Sequence, residues 1–167
     1  MDQNYILPFI KSTRNIFETM FQMSVEVSDP VVRKGDSPSH DVSGIIGMSG
    51  DTEGSVVLSF PMETARRIVT VFTGQEVGEN LEDLSDAVGE LVNMIAGGAK
   101  AQFAGQKVSI SCPSVVIGSS HSVYGRKDAV CVTIPCACDC GEFNVEVSTR
   151  PAAKGVGTQG APASRAA

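Results

Sequence analysis

Between residues 4 and 23, Ile6, Phe9, Ile10, Ile16, Phe17, Met20 and Phe21 recur at spacings near three and four. That period lines one face of a helix and leaves Lys11, Arg14 and Glu18 on the wet side. Pro8 falls in the first turn, where a missing N–H costs little. Residues 29–41 carry Pro30, Gly35 and Pro38 among charges and read as a loop. Residues 42–49, with Ile45 and Ile46 at their centre, read as a strand. After the turn dipeptide Gly50-Asp51, Ser55, Val57 and Ser59 alternate with Val56, Leu58 and Phe60, which predicts a second strand over 54–60. So short a connection favours antiparallel pairing. Residues 61–73 predict a second helix. Ala65, Ile68, Val69 and Phe72 form its stripe, Pro61 takes its first position and Gly74 stops it.

The longest periodic stretch runs over 81–105, where Leu81, Leu84, Val88, Leu91, Ile95 and Ala99 follow steps of three and four. Asp86 and Glu90 lie toward its start and Lys100 toward its end, as the helix dipole favours. Beyond Gly105 the pattern shortens. Residues 107–111, 115–118, 122–125, 128–136 and 142–148 read as strands rich in Val and Ile. In the last of these, Phe143, Val145 and Val147 alternate with Asn144, Glu146 and Ser148, the mark of a half-buried strand. Residues 151–167 are rich in Ala, Gly, Pro and Ser with no apolar period. They bury too little to offset their ordering entropy and are expected to form a flexible tail. The layout predicts an α+β fold, with a mostly antiparallel sheet and long helices packed on one face.

Composition narrows the class. A chain of 167 residues can bury a sufficient core without staples. With no Trp and 5% aromatics, that core must be aliphatic. The net charge of −6 repels nucleic-acid phosphates, so no nucleic-acid partner is expected. No apolar run approaches the ~20 residues that span a bilayer, so no membrane is expected either. Met1-Asp2-Gln3-Asn4 lacks the basic and apolar regions of a secretory signal, which predicts a cytoplasmic protein. In that setting five cysteines are expected to be reduced thiols.

The chemistry sits on the long helix. Asp86, Glu90, Asn93, Gly97 and Lys100 recur at four, three, four and three, forming a polar stripe nearly opposite the apolar one. Asn and Gly are poor helix formers, and the pair Gly97-Gly98 inside a helix costs about 1.6–2 kcal/mol relative to alanines. A solvated face with a tolerated Asn and a glycine kink would account for the pattern. A functional face would give each departure a reason. A glycine admits a neighbouring backbone, a carboxamide holds water by donor and acceptor together, and a carboxylate pairs with a partner's lysine.

The run Glu90-Leu91-Val92-Asn93-Met94-Ile95-Ala96-Gly97 resembles the Glu-x-x-Asn-Met/Ile-x-x-Gly signature of the CheX/CheC/FliY chemotaxis phosphatases. Gly44-Ile45-Ile46-Gly47, Gly50 and Glu53-Gly54-Ser55 resemble that family's paired strands. Pro113-Ser114-Val115-Val116-Ile117-Gly118 resembles the segment after its catalytic helix. The likeness covers residues 3–148 in the same element order and is nearest the CheX branch, because only one Glu-x-x-Asn copy is present. It implies one CheX-like domain over 1–150. It also implies a phosphatase acting on the aspartyl phosphate of a response-regulator receiver domain. Asn93 would orient the water and Glu90 would pair with the receiver lysine. Asp86, Gly97 and Lys100 would touch the receiver. The cofactor Mg²⁺ would come with the receiver rather than from this chain. A homodimer joining strands across subunits is implied as well. The alternative is a non-catalytic receiver-binding module acting by sequestration or localisation.

Other residues invite different chemistry. Cys136, Cys138 and Cys140 alternate, but one Cys-x-Cys-x-Cys run matches zinc spacing poorly, so no metal site is assigned. A thiol-based metal or redox protein remains the third functional class. On a strand these three sulfurs would share one face as small hydrophobes; in a turn the thiols would merely be exposed. His40 and His121 are expected to be solvated loop histidines with no nucleophile nearby. Met94 is expected to pack in the core or at its rim.

Overall fold

The computed structural model describes residues 3–33 and 39–152. A short 3-10 turn at Gln3–Tyr5 leads into α1 (Leu7–Phe21), with Pro8 in its first turn as expected. Gln22 stops α1 in the left-handed region at φ 53°, bonding its N–H back to the Phe17 carbonyl. Two short strands follow, β1 (Glu26–Val27) and β2 (Val31–Val32). The hairpin of β3 (Val42–Gly50) and β4 (Thr52–Phe60) comes next. Helices α2 (Met62–Thr73) and α3 (Leu81–Lys100) precede β5 (Val108–Ile110), β6 (Ser114–Ile117), β7 (Cys131–Cys138) and β8 (Gly141–Pro151).

All strand pairings are antiparallel, in the order β1-β7-β8-β4-β3-β5, with β2 also on the outer edge of β7 and β6 also on β3. The fold is therefore α+β, with an antiparallel sheet and helices on one face. Alternation sorts the side chains. Val42, Ile46, Met48, Val56, Leu58, Phe60, Phe143, Val145 and Val147 point to the helices and are buried. Phe17 of α1 stacks on Phe143 of β8 at 5.0 Å, and Phe60 of β4 sits 5.3 Å from the same ring. Few as they are, the phenylalanines thus concentrate where α1 meets the sheet. Phe9 and Phe103 form a separate pair between α1 and the segment after α3, and most of the remaining core is aliphatic.

Four local expectations differ from the structure. Residues 31–32, inside the expected loop, form β2, because Val31 and Val32 pair with Thr133 and Val132 of a strand a hundred residues on. Residues 122–125, expected as a strand, form none. Their Val123 carbonyl instead accepts a hydrogen bond from Arg33. The long helix stops at Lys100 rather than 105, and Gly105 closes the following turn at φ 72°. Pro61 caps α2 one residue before its first helical position, and the Asp41 carboxylate accepts from the Met62 N–H at 2.9 Å. Pro151 still belongs to β8, and the expected tail from 153 onward lies outside the described residues. No helix among the described residues is long and apolar enough to cross a membrane.

Candidate active site on the third helix

Helix α3 begins where the Asn80 side chain accepts the Glu82 N–H at 3.0 Å, leaving Glu82 and Asp83 in the first turn where the dipole favours them. Leu84, Val88, Leu91, Val92, Ile95 and Ala99 are buried beneath it. Two glycines, Gly44 and Gly98, let neighbours come close. A Cβ on Gly44 of β3 would meet Val92 Cγ1 at 2.9 Å, so that glycine lets the sheet touch α3. Gly89 is packed against Pro113 and Val115 of the β6 segment, where a Cβ would make ordinary contact at 3.6 Å. A Cβ on Gly98 would strike the Ser12 hydroxyl of α1, which itself donates to the Ile95 carbonyl at 2.7 Å. Helix α3 is thus held by α1, by the sheet and by β6.

What those contacts leave uncovered is the polar stripe. Asp86, Glu90 and Lys100 are exposed, and Asn93 and Gly97 are half-buried, all on the outward side of α3. Glu90 and Asn93 stand one turn apart, about 4.5 Å along the axis. Neither side chain makes a hydrogen bond or ion pair to another described residue. Gly97 differs from its neighbour Gly98, because nothing lies within 4 Å of where its Cβ would be. The fold explains Gly98 and leaves Gly97 without an internal reason. Met94, expected in the core or at its rim, is half-buried beside Asn93.

Grooves flank the stripe. The one between α2 and α3, about 390 Å³, has Phe72 and Val77 in its lining and Glu76, Asp83, Asp86 and Glu90 as its acids. The other, about 620 Å³, borders Gly97, Lys100, Lys107 and Ser109. The ridge therefore runs from acidic to basic along the helix. Among the described residues no three His, Cys, Asp or Glu side chains gather as for a metal ion.

The histidines need a correction. His121 is half-buried and bonded at both ring nitrogens rather than freely solvated. Its Nδ1 lies 2.7 Å from the Gly118 carbonyl, and its Nε2 lies 2.8 Å from Ser43 Oγ. Because Nδ1 can only donate to a carbonyl, neutral His121 accepts from Ser43 at Nε2. This has the distance of a nucleophile pair, yet Ser43 is fully buried within the sheet, so no substrate reaches it. His40 is half-buried, with Nε2 3.2 Å from the Asn144 amide nitrogen. Burial lowers its pKa, while Asp41 and Glu142 pull the other way. Beside them, Glu146 and Arg33 form a nearly dry ion pair at 2.7 Å. Burial raises the Glu146 pKa and the guanidinium opposes that rise. The sequence signal for this layer was the polar alternation Ser43, Ser59, Asn144, Glu146 on one sheet face. That face is covered by irregular segments rather than by water.

An antiparallel sheet backed on one face by helices is the architecture of the CheC/CheX-like proteins. The chain belongs to one family among them, Chemotaxis phosphatase CheX, whose model matches residues 42–137. It is 39% identical over 82 residues to the CheY-P phosphatase CheX of Thermotoga maritima, covering 47% of this chain and 53% of that protein. The chain thus spans about half the length of that curated relative. The crystal structure of a chemotaxis protein CheX from Desulfovibrio desulfuricans superposes with a TM-score of 0.81 at 30% identity, over 87% of this chain and 99% of that one. The CheX-CheY-BeF3-Mg²⁺ complex from Borrelia burgdorferi superposes with a TM-score of 0.75 over 87% of this chain and 97% of the other. At 22% identity that likeness speaks for the fold.

Proposed function

We propose that this protein hydrolyses the aspartyl phosphate of a response-regulator receiver domain, with Asn93 and Glu90 of α3 as its working groups. The observation that carries this reading is the pair itself: two polar side chains one turn apart on a clamped helix, exposed or half-exposed, with no hydrogen bond spent on another described residue. An acyl phosphate has a good leaving group. Water attacks phosphorus in line, the bond from phosphorus to the aspartyl oxygen breaks, and the carboxylate departs. No strong base is required. Asn93 accepts a hydrogen bond from the attacking water through its amide oxygen and donates from its amide nitrogen toward the phosphoryl group. A ~100-fold acceleration asks for only about 2.7 kcal/mol, within reach of one well-placed amide.

Glu90 pairs with the receiver's lysine and fixes the register of docking. Asp86 and Lys100 extend the contact along the ridge, and Gly97 lets the receiver backbone approach. The relative from Thermotoga maritima carries the name of a CheY-P phosphatase, and the Borrelia burgdorferi complex pairs CheX with CheY and Mg²⁺, which supports a receiver partner. Mg²⁺ belongs to the receiver in this reading and is not held by the chain. Residues 1–150 act as one unit in the cytoplasm, as a homodimer built on exposed strand edges.

The test mixes the full chain with a ³²P-labelled phospho-receiver and follows loss of label. The parent is expected to accelerate that loss. Glu90→Ala is expected to raise KM for the phospho-receiver far more than it lowers kcat. A parent that binds phospho-receiver without accelerating loss of label is a sequestering module, and the catalytic reading is then wrong.

A further inference from the structure

Beneath the ridge, two departures from helix propensity meet at a single contact. Ser12 is buried on the inner face of α1, and Gly98 lies inside α3. Both residue types are poorer helix formers than alanine. Each depends on the other. The Ser12 hydroxyl donates to the Ile95 carbonyl at 2.7 Å, and the missing side chain at Gly98 leaves it room. The Ile95 carbonyl already has a donor in its own helix, the Ala99 N–H four residues on, so it is no orphan that Ser12 must satisfy. Alanine at both positions would suit the two helices better. What the hydroxyl adds is direction. The contacts of Gly44 with Val92 and of Gly89 with Pro113 and Val115 are apolar, and they set a distance without fixing the height of α3 along its axis. Gln102, just past α3, fastens the start of α1 as well, donating to the Pro8 carbonyl at 3.3 Å. Ile95 is two residues beyond Asn93, about 3 Å along the same rigid helix.

We propose that Ser12 is a positioning residue: its hydrogen bond to Ile95 sets the rotation and axial height of α3, and so the depth at which the Asn93 amide meets the phosphoryl group. The inference rests on the reading of Asn93 as the group that orients the attacking water. A group misplaced by about 1 Å costs up to ~100-fold in rate. Ser12 is enclosed between two helices and does not reach the receiver. Docking is the work of the exposed ridge residues Asp86, Glu90 and Lys100. Loss of the Ser12 hydroxyl therefore acts on the chemical step and spares the affinity for the phospho-receiver.

The test follows single-turnover hydrolysis of a ³²P-labelled phospho-receiver over a range of full-chain concentrations, beside a thermal melt of each protein. The titration separates the saturated rate from the half-saturating concentration. Ser12→Ala is expected to lower the saturated rate at least ~5-fold and to keep the half-saturating concentration within about twofold of the parent's. Gly98→Ala pushes the hydroxyl away from Ile95 and is expected to lose as much rate. The double variant Ser12→Ala/Gly98→Ala relieves that clash, so it is expected to melt above Gly98→Ala and still turn over slowly. Phe9→Leu loosens α1 against Phe103 without touching the bond, and is expected to melt lower while keeping the parental saturated rate. A Ser12→Ala protein with the parental saturated rate overturns the proposal. So do a loss confined to the half-saturating concentration, recovery of the rate in the double variant, or an equal loss of rate in Phe9→Leu. A parent that does not accelerate loss of label overturns the phosphatase reading itself, and this positioning role with it.

Discussion

The two sides of the sheet treat polar groups in opposite ways. On the outer side, Ser43, Ser59, His40, His121, Asn144, Arg33 and Glu146 bond to one another or to nearby backbone; Ser43, Ser59 and Glu146 are buried and the others half-buried. On the helical side, the ridge of α3 presents Glu90 and Asn93 with no partner among the described residues. Buried polar groups must be satisfied inside the protein or they cost stability. Groups left unsatisfied at the surface cost little and remain free to act on something else. The outer layer therefore ties loops to the sheet, and the ridge is where chemistry toward a partner can occur.

Substitutions on the two sides should separate stability from activity. The largest effect is expected from Glu146→Ala, which leaves the Arg33 guanidinium buried without its carboxylate. Breaking such a pair costs about 3–5 kcal/mol. Thermal melts should shift strongly while turnover per folded molecule stays at the parental value. A melt within a degree of the parent would mean that water already solvates that pair.

The adjacent glycines of α3 give an intermediate effect of opposite sign. Gly98→Ala forces a methyl onto the Ser12 hydroxyl and endangers its bond to Ile95, so overpacking of about 1–3 kcal/mol is expected. Gly97→Ala meets nothing and should stabilise the helix by about 0.8–1 kcal/mol. The same Gly97→Ala should nevertheless raise KM for the phospho-receiver. Denaturant titration beside steady-state kinetics reads both. A Gly97→Ala protein that is more stable and docks as before would remove that position from the contact surface.

The smallest effect concerns His40. Burial lowers its folded pKa below the ordinary 6.5. Its contribution to stability is present above pH ~6.5 and is lost as pH falls through the lowered folded value. Parent and His40→Gln melts should converge or cross on acidification from pH 7.5 to pH 5. A constant difference across that range would contradict the assignment. Comparing the two proteins cancels the opposing titration of Glu146, which both contain.

Helix α3 was legible in the sequence because both of its stripes are periodic, and the five ridge residues fall where that period puts them. The β3–β4 hairpin was legible because its pairing is local. What escaped is long-range. Val31 and Val32 become a strand only because β7 offers an edge, and residues 122–125 lose theirs to a loop held by Arg33. The roles of His40 and His121 depend on which sheet face the irregular segments cross, and no local pattern encodes that. The difference between Gly97 and Gly98 likewise depends on where α1 packs.

The central claim is that the Asn93 amide, held out by a clamped helix, accelerates attack of water on the phosphoryl group. Single-turnover hydrolysis of a phospho-receiver by saturating Asn93→Ala, beside the parent and with a thermal melt of each, tests it most directly. The account predicts a rate at least ~100-fold below the parent, corresponding to about 2.7 kcal/mol, with an unchanged melt. A saturated rate equal to the parent's would contradict it.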